Sequence, residues 1–83
     1  MNNNELKKKI IYRSSYRGSK EMDFLVSSFV KKVINSIDPK HLIELDELVN
    51  LDDKILFRLN NGTELNLKIK TNKIIKLFQK FKM

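Results

Sequence analysis

An all-α, single-domain fold is predicted by three features of this sequence. Apolar residues recur at three- and four-residue steps in several segments, and helix-capping residue types stand ahead of those segments. The 83 residues suffice for one domain and no more.

Residues 1–5 are polar and read as a disordered lead-in, with the domain running over residues 6–83. The first helix is expected over residues 6–16, with Leu6, Ile10, Ile11 and Ser14 on one face and Gly18 as its C′ stop. The second carries the strongest periodicity: Met22, Leu25, Val26, Phe29, Val30, Val33, Ile34 and Ile37 form a wide apolar stripe. Ser19 is its expected N-cap, and Glu21 and Asp23 complement the dipole of its first turn. Asp38 and Pro39 mark a restart, Asp38 as cap and Pro39 at the first helical position. The helix that follows buries Leu42, Leu45, Leu48 and Val49, flanked by Ile43 and Leu51, with Glu44, Asp46 and Glu47 on its polar face.

Residues 55–69 carry two conflicting signals. Ile55, Phe57 and Leu59, then Leu65, Leu67 and Ile69, alternate around Asn61 and Gly62, which taken alone is a β-hairpin pattern. The alternative is a short helix capped by Asp52 and Asp53 and stopped at Asn61–Gly62. The helical segments on either side favour the helix, because local and global preferences tend to agree in foldable sequences. A last helix, capped by Thr71 or Asn72, carries Ile74, Ile75, Leu77, Phe78 and Phe81 against a lysine face of Lys73, Lys76 and Lys80.

The net charge of +7 invites a nucleic-acid reading, which two features weaken. Alanine is absent while Lys, Asn and Ile abound, a bias expected of AT-rich codons rather than of a partner. The charge is also segregated: +5 over residues 1–20, −5 over residues 38–53 and +6 over residues 66–83. There is no cysteine, hence no disulfide framework or thiolate metal site. No export signal or membrane-spanning run is read, and the protein is expected to be cytoplasmic.

Catalytic chemistry has almost nothing to stand on. The single histidine, His41, is expected to be an exposed residue in the first turn of a helix, with no nucleophile or carboxylate arranged around it. The acids at 44, 46, 47, 52 and 53 lack the glycine and spacing of a calcium loop, and two distant glycines cannot build a phosphate loop. The chain therefore reads as a binding protein, not an enzyme.

Residues 12–23 are the candidate binding segment. They join two helices and hold Tyr12, Arg13, Tyr16, Arg17, Gly18, Glu21 and Asp23, including two of the three arginines in a chain whose usual base is lysine. Arginine makes bidentate and stacking contacts that lysine does not, and tyrosine and arginine are enriched at interface hot spots. Gly18 would let a partner backbone approach closely. The competing account is local: Gly18 ends a helix, Glu21 complements a dipole and Arg17 is solvated.

The run Tyr12-Arg13-Ser14 followed by Arg17-Gly18-Ser19-Lys20-Glu21-Met22-Asp23 resembles the R-G-x-x-E signature of the succinate dehydrogenase assembly factor 2 family. The resemblance continues in order over roughly residues 6–80: the apolar helix through Phe29, the helix start at Asp38 and Pro39, the leucine-rich stretch 48–53 and the last helix from Ile74 to Gln79. One departure is Leu59, where many relatives carry a tryptophan, and residues 63–70 match poorly. The resemblance implies a compact five-helix bundle. It implies a chaperone-like factor, monomeric when free, that binds the flavoprotein subunit of succinate dehydrogenase or of the related fumarate reductase and promotes covalent FAD attachment. FAD would belong to the client, with no cofactor held stably by the factor itself and no metal. Arg17, Gly18 and Glu21 would contact the client near its flavin site, supported by Tyr12, Arg13, Tyr16 and Asp23. The other readings are a small basic nucleic-acid-binding protein and an antitoxin-like adaptor; the resemblance implies neither nucleic-acid binding nor membrane insertion.

Overall fold

The computed structural model describes residues 2–61 and 72–82. These residues form five α-helices: α1 (Asn3–Ser15), α2 (Lys20–Val33), α3 (Leu42–Val49), α4 (Asp53–Asn60) and α5 (Lys73–Lys80), with a single 3₁₀ turn (Pro39–His41) leading into α3. The all-α bundle expected from the sequence is what the described residues adopt.

Each helix is set by its apolar stripe and its cap. In α2 the stripe Met22, Leu25, Val26, Phe29, Val30 and Val33 is buried, and the Ser19 hydroxyl accepts from the Met22 amide at 3.2 Å. The helix closes at Val33, but Ile34 and Ile37 continue the stripe through the following turn, where Ile37 N–H donates to Val33 O at 3.1 Å. In α5 Ile74, Ile75 and Phe78 face inward, and the Asn72 side chain accepts from the Ile75 amide at 2.8 Å.

The core gathers these stripes. Ile10 of α1, Val26 and Phe29 of α2, Leu42, Leu45 and Leu48 of α3, Leu56 of α4 and Ile74 and Phe78 of α5 are fully buried. Phe29 is the aromatic centre, meeting Phe78 edge-on at 5.0 Å and Phe81 at 5.4 Å between ring centroids. α1 packs along α2 and α3, while α5 packs against α3 and α4. Asn60 ties the ends of α4 and α5 together by donating from Nδ2 to the carbonyls of Phe78 (3.0 Å) and Phe81 (2.8 Å). Leu59 is buried as an ordinary core residue.

Several expectations are corrected. Residues 3–5, expected within a disordered lead-in, are the first turn of α1, because Asn2 caps it by accepting from the Glu5 amide at 2.8 Å. Ile11 is exposed; the inward face of α1 holds Ile10 and Ser14, whose hydroxyl is satisfied by the Ile11 carbonyl at 2.8 Å. Ile43 is likewise exposed. The Asp38 carboxylate makes no capping bond; its carbonyl accepts from the His41 amide at 2.8 Å instead. His41 is not an open surface residue, since its Nδ1 lies 3.1 Å from Glu44 Oε2 and the pair is largely shielded. The first limb of the hairpin pattern is helical: α4 buries Leu56 and Leu59 and leaves Phe57 outside. The second limb lies outside the described residues.

Candidate functional site

The turn between α1 and α2 is held by one arginine. Arg17 Nε donates to Asp53 Oδ1 at 2.6 Å and Nη2 donates to the Leu51 carbonyl at 2.6 Å. Nη1 donates to the carbonyl of Val49 and, at 3.4 Å, to that of Arg13. α3 ends at Val49 with no basic residue of its own in the last turn. The guanidinium therefore supplies the positive charge and the donors that the carbonyl end of a helix lacks. Its side chain is only 11% exposed while that of Asp53 is 30% exposed, so the bridge is partly buried, shielded on the arginine side and open to water on the carboxylate side.

Two further bonds fix the loop backbone. The Arg17 amide donates to Asp23 Oδ1, and the Gly18 amide donates to Asp53 Oδ2 at 3.2 Å. Asp53, in the first turn of α4, thus grips both the guanidinium of Arg17 and the backbone of Gly18, while neighbouring Asp52 caps α4 through the Lys54 amide at 3.2 Å. Gly18 is not the helix C′ residue the sequence suggests: α1 closes at Ser15, Tyr16 is its C-cap, and the Gly18 backbone lies outside the left-handed region. A Cβ placed on Gly18 would meet only Asp53 Oδ2, at 3.4 Å, which is an ordinary contact. Among the described residues nothing crowds this position enough to demand a glycine.

Three open grooves surround this loop. The largest, about 440 Å³, runs between the end of α1 and the α3–α4 junction and is walled by Tyr12, Tyr16, Arg13, Asn50 and Asp52. Arg13 reaches across to bond Asn50 Oδ1. A second, about 280 Å³, lies between Glu21 and Met22 of α2 and Lys54, Phe57 and Arg58 of α4. A third of about 280 Å³ sits beside Ser15, Lys20 and Phe24. Each contains an aromatic side chain open to solvent: Tyr12 (65% exposed), Tyr16 (72%), Phe57 (55%) and Phe24 (62%). The two tyrosine rings pack against each other at a 41° tilt, 4.7 Å between centroids.

The structure thus brings all seven sequence-nominated residues to one corner, in different roles. Arg17 and Asp23 are engaged internally, and Arg13 is held by Asn50. Tyr12, Tyr16, Gly18 and Glu21 face outward, and Glu21 forms no ion pair among the described residues. Phe24, Phe57 and Asp53 were not nominated. Phe24 and Phe57 could have been found as aromatic residues off the buried stripes of their own helices. The partnership of Asp53 with Arg17 leaves no local signal. Among the described residues no three His, Asp or Glu side chains converge as a metal site requires, and no helix is long and apolar enough to cross a membrane.

Comparison with known proteins bears on the chain as a whole. The sequence profile of a family described as "Flavinator of succinate dehydrogenase" matches residues 8–82. The chain is 32% identical over 78 residues to "Succinate dehydrogenase assembly factor 2, mitochondrial" of Meyerozyma guilliermondii, a match covering 89% of this chain and 58% of that protein. The chain therefore spans little more than half the length of that curated relative. No solved structure matches.

Proposed function

We propose, from the premise that this chain belongs to the family of flavinators of succinate dehydrogenase, that it is an assembly factor for the flavoprotein subunit of that enzyme and promotes covalent attachment of FAD to it. The carrying observation is the corner built on Arg17: a fixed backbone ridge at Gly18, open grooves beside it and four exposed aromatic side chains around it. Exposed aromatics grouped round a rigid, side-chain-free ridge have the composition of a protein-recognition hot spot.

The ridge presents its backbone at Gly18 and, at Glu21, a carboxylate with no ion-pair partner among the described residues. Tyr12, Tyr16, Phe24 and Phe57 supply apolar area at a low cost in side-chain entropy. Arg17 acts as a positioning residue, holding the ridge rather than reaching for the client. The factor contributes by seating the client's flavin and acceptor side chain in a reactive arrangement, and the attachment chemistry remains the client's. FAD is accordingly the client's cofactor, and the factor is not itself an enzyme. The cytoplasmic location expected from the sequence belongs to the same proposal; the curated relative is named as mitochondrial.

The test is coexpression of the cognate flavoprotein subunit with and without this chain, followed by a denaturing gel scanned for flavin fluorescence. A covalent flavin band that strengthens when the chain is present supports the proposal. A band of equal intensity in both lanes refutes it.

A further inference from the structure

α5 divides its surface between two faces. Ile74, Ile75 and Phe78 are buried, and Lys73, Lys76, Leu77 and Lys80, at helical spacing along the opposite side, are exposed. Lys80 and Leu77 share a groove of about 150 Å³ with Lys32 and Phe81, and Lys32 Nζ lies 5.5 Å from the Phe81 ring centroid. Lys31, the residue before Lys32 in α2, is also exposed. The N-terminal half of α1 reaches the same end of the molecule, where Lys7 Nζ bonds Asn35 Oδ1 at 3.4 Å.

No carboxylate occurs in residues 24–37 or 72–82. Among the described residues none of Lys31, Lys32, Lys73, Lys76 and Lys80 forms an ion pair. α3 and α4, against which α5 packs, do carry acids, but among the described residues none pairs with these lysines, and Lys32 and Lys80 flank two partly exposed apolar side chains, Leu77 and Phe81. This pole is remote from the aromatic corner. Lys20 opens α2 beside that corner and Lys32 lies near the other end of the same helix, roughly 18 Å away at about 1.5 Å per residue.

We infer that this lysine pole is a second docking surface, which adsorbs the protein to an anionic lipid bilayer. Lysines are strongly hydrated point charges, suited to a diffuse field of lipid phosphates, and their alkyl stems can lie along an interface while their heads stay wet. The bases of this pole are all lysines, with Arg13, Arg17 and Arg58 on other elements. The apolar centre decides between the two polyanions such a pole could meet. Leu77 and Phe81 find a hydrocarbon boundary at a bilayer surface, whereas a nucleic-acid backbone gives them nothing to bury against. Contact is peripheral, since the remaining apolar residues of α5 stay in the core. The inference does not depend on the proposed flavinylation role.

Co-sedimentation of the whole chain with vesicles tests it, comparing mixed phosphatidylcholine–phosphatidylglycerol vesicles with pure phosphatidylcholine at low and high salt. Binding is expected to the anionic vesicles alone and to fall with added salt. Joint Lys32→Gln, Lys76→Gln and Lys80→Gln substitution should weaken it on the order of 100-fold, at roughly tenfold or less per lysine. Leu77→Ser should weaken vesicle binding several-fold while leaving any duplex-DNA affinity unchanged, with circular dichroism confirming that both variants fold. The inference is overturned if anionic vesicles do not bind or the lysine variant binds as well as wild type. It is equally overturned if Leu77→Ser has no effect and DNA binds more tightly than vesicles through the same lysines.

Discussion

Replacing Arg17 by alanine is expected to destabilise the protein severely, although the residue stands in a surface loop. The substitution removes the donor to Asp53 and the donors to the carbonyls of Val49 and Leu51. It also leaves the Asp53 carboxylate without its cation beside the end of α3. Charge-assisted bonds contribute about 1.5–3 kcal/mol each where water is excluded. The three act as a unit and Asp53 is 30% exposed, so a discounted total of roughly 3 kcal/mol is appropriate. A chain of 83 residues has a total stability of only about 4–12 kcal/mol. In a domain of this size each kcal/mol moves the midpoint by about 4–8 °C, giving a fall of roughly 12–24 °C in Tm. Arg17→Lys keeps the charge without the planar fork and should lose roughly half as much. Thermal unfolding followed by far-ultraviolet circular dichroism reads both variants directly. A midpoint for Arg17→Ala within about 2 °C of wild type, less than the shift about 0.5 kcal/mol would cause, would show that the guanidinium does not hold the α3–α4 junction.

Gly18→Ala should leave stability unchanged or raise it by about 0.4–1 kcal/mol, since the backbone conformation suits an L-residue and the nearest atom sits at 3.4 Å. Any loss of flavinylation in this variant, with Tm maintained, then reports crowding against the client. Glu21→Gln should cost no more than about 0.3–1 kcal/mol of stability, the share of one first-turn charge, and weaken client binding roughly tenfold, measured by calorimetric titration with the flavoprotein subunit, as loss of one interfacial charge does. Phe57→Ser, on an exposed face of α4, should be neutral or better for solubility while weakening the same binding by roughly 30-fold if Phe57 is an anchor. Asn60→Ala should cost about 1–3 kcal/mol in denaturant unfolding, because two carbonyls at the end of α5 lose their donor.

The helices were legible in the sequence wherever a single periodic stripe met a single cap. α2 is the clearest case: its face and its Ser19 cap both follow from spacing alone. Legibility failed where two signals overlapped. In α4 the exposed Phe57 sits between half-buried Ile55 and buried Leu59, so an apolar residue on the wrong face imitates the alternation of a strand. At the N-terminus a run of three asparagines hid the one that caps α1. The candidate corner was located because arginine, glycine and tyrosine cluster within residues 12–18, and the R-G-x-x-E resemblance named the family that the profile match bears out. The role of Arg17 was not legible, since Asp53 lies 36 residues along the chain and no local pattern links them.

That long-range pairing gives the two charged ends of the R-G-x-x-E run different kinds of work. A guanidinium has five N–H groups, and Arg17 directs four bonds to Asp53, Val49, Leu51 and Arg13. Little donor capacity is left for a client. Glu21 keeps its acceptors free of any ion pair among the described residues. The glycine between them has its amide committed to Asp53 and no side chain to obstruct approach. On the proposed role, a surface built this way would already be in its binding arrangement before the client arrives, so less ordering entropy would be lost on docking. It also couples recognition to folding. A weakened Arg17–Asp53 pair would loosen the α3–α4 junction and blur the ridge together, whereas changes at Glu21 or Phe57 are expected to act mainly on the proposed recognition.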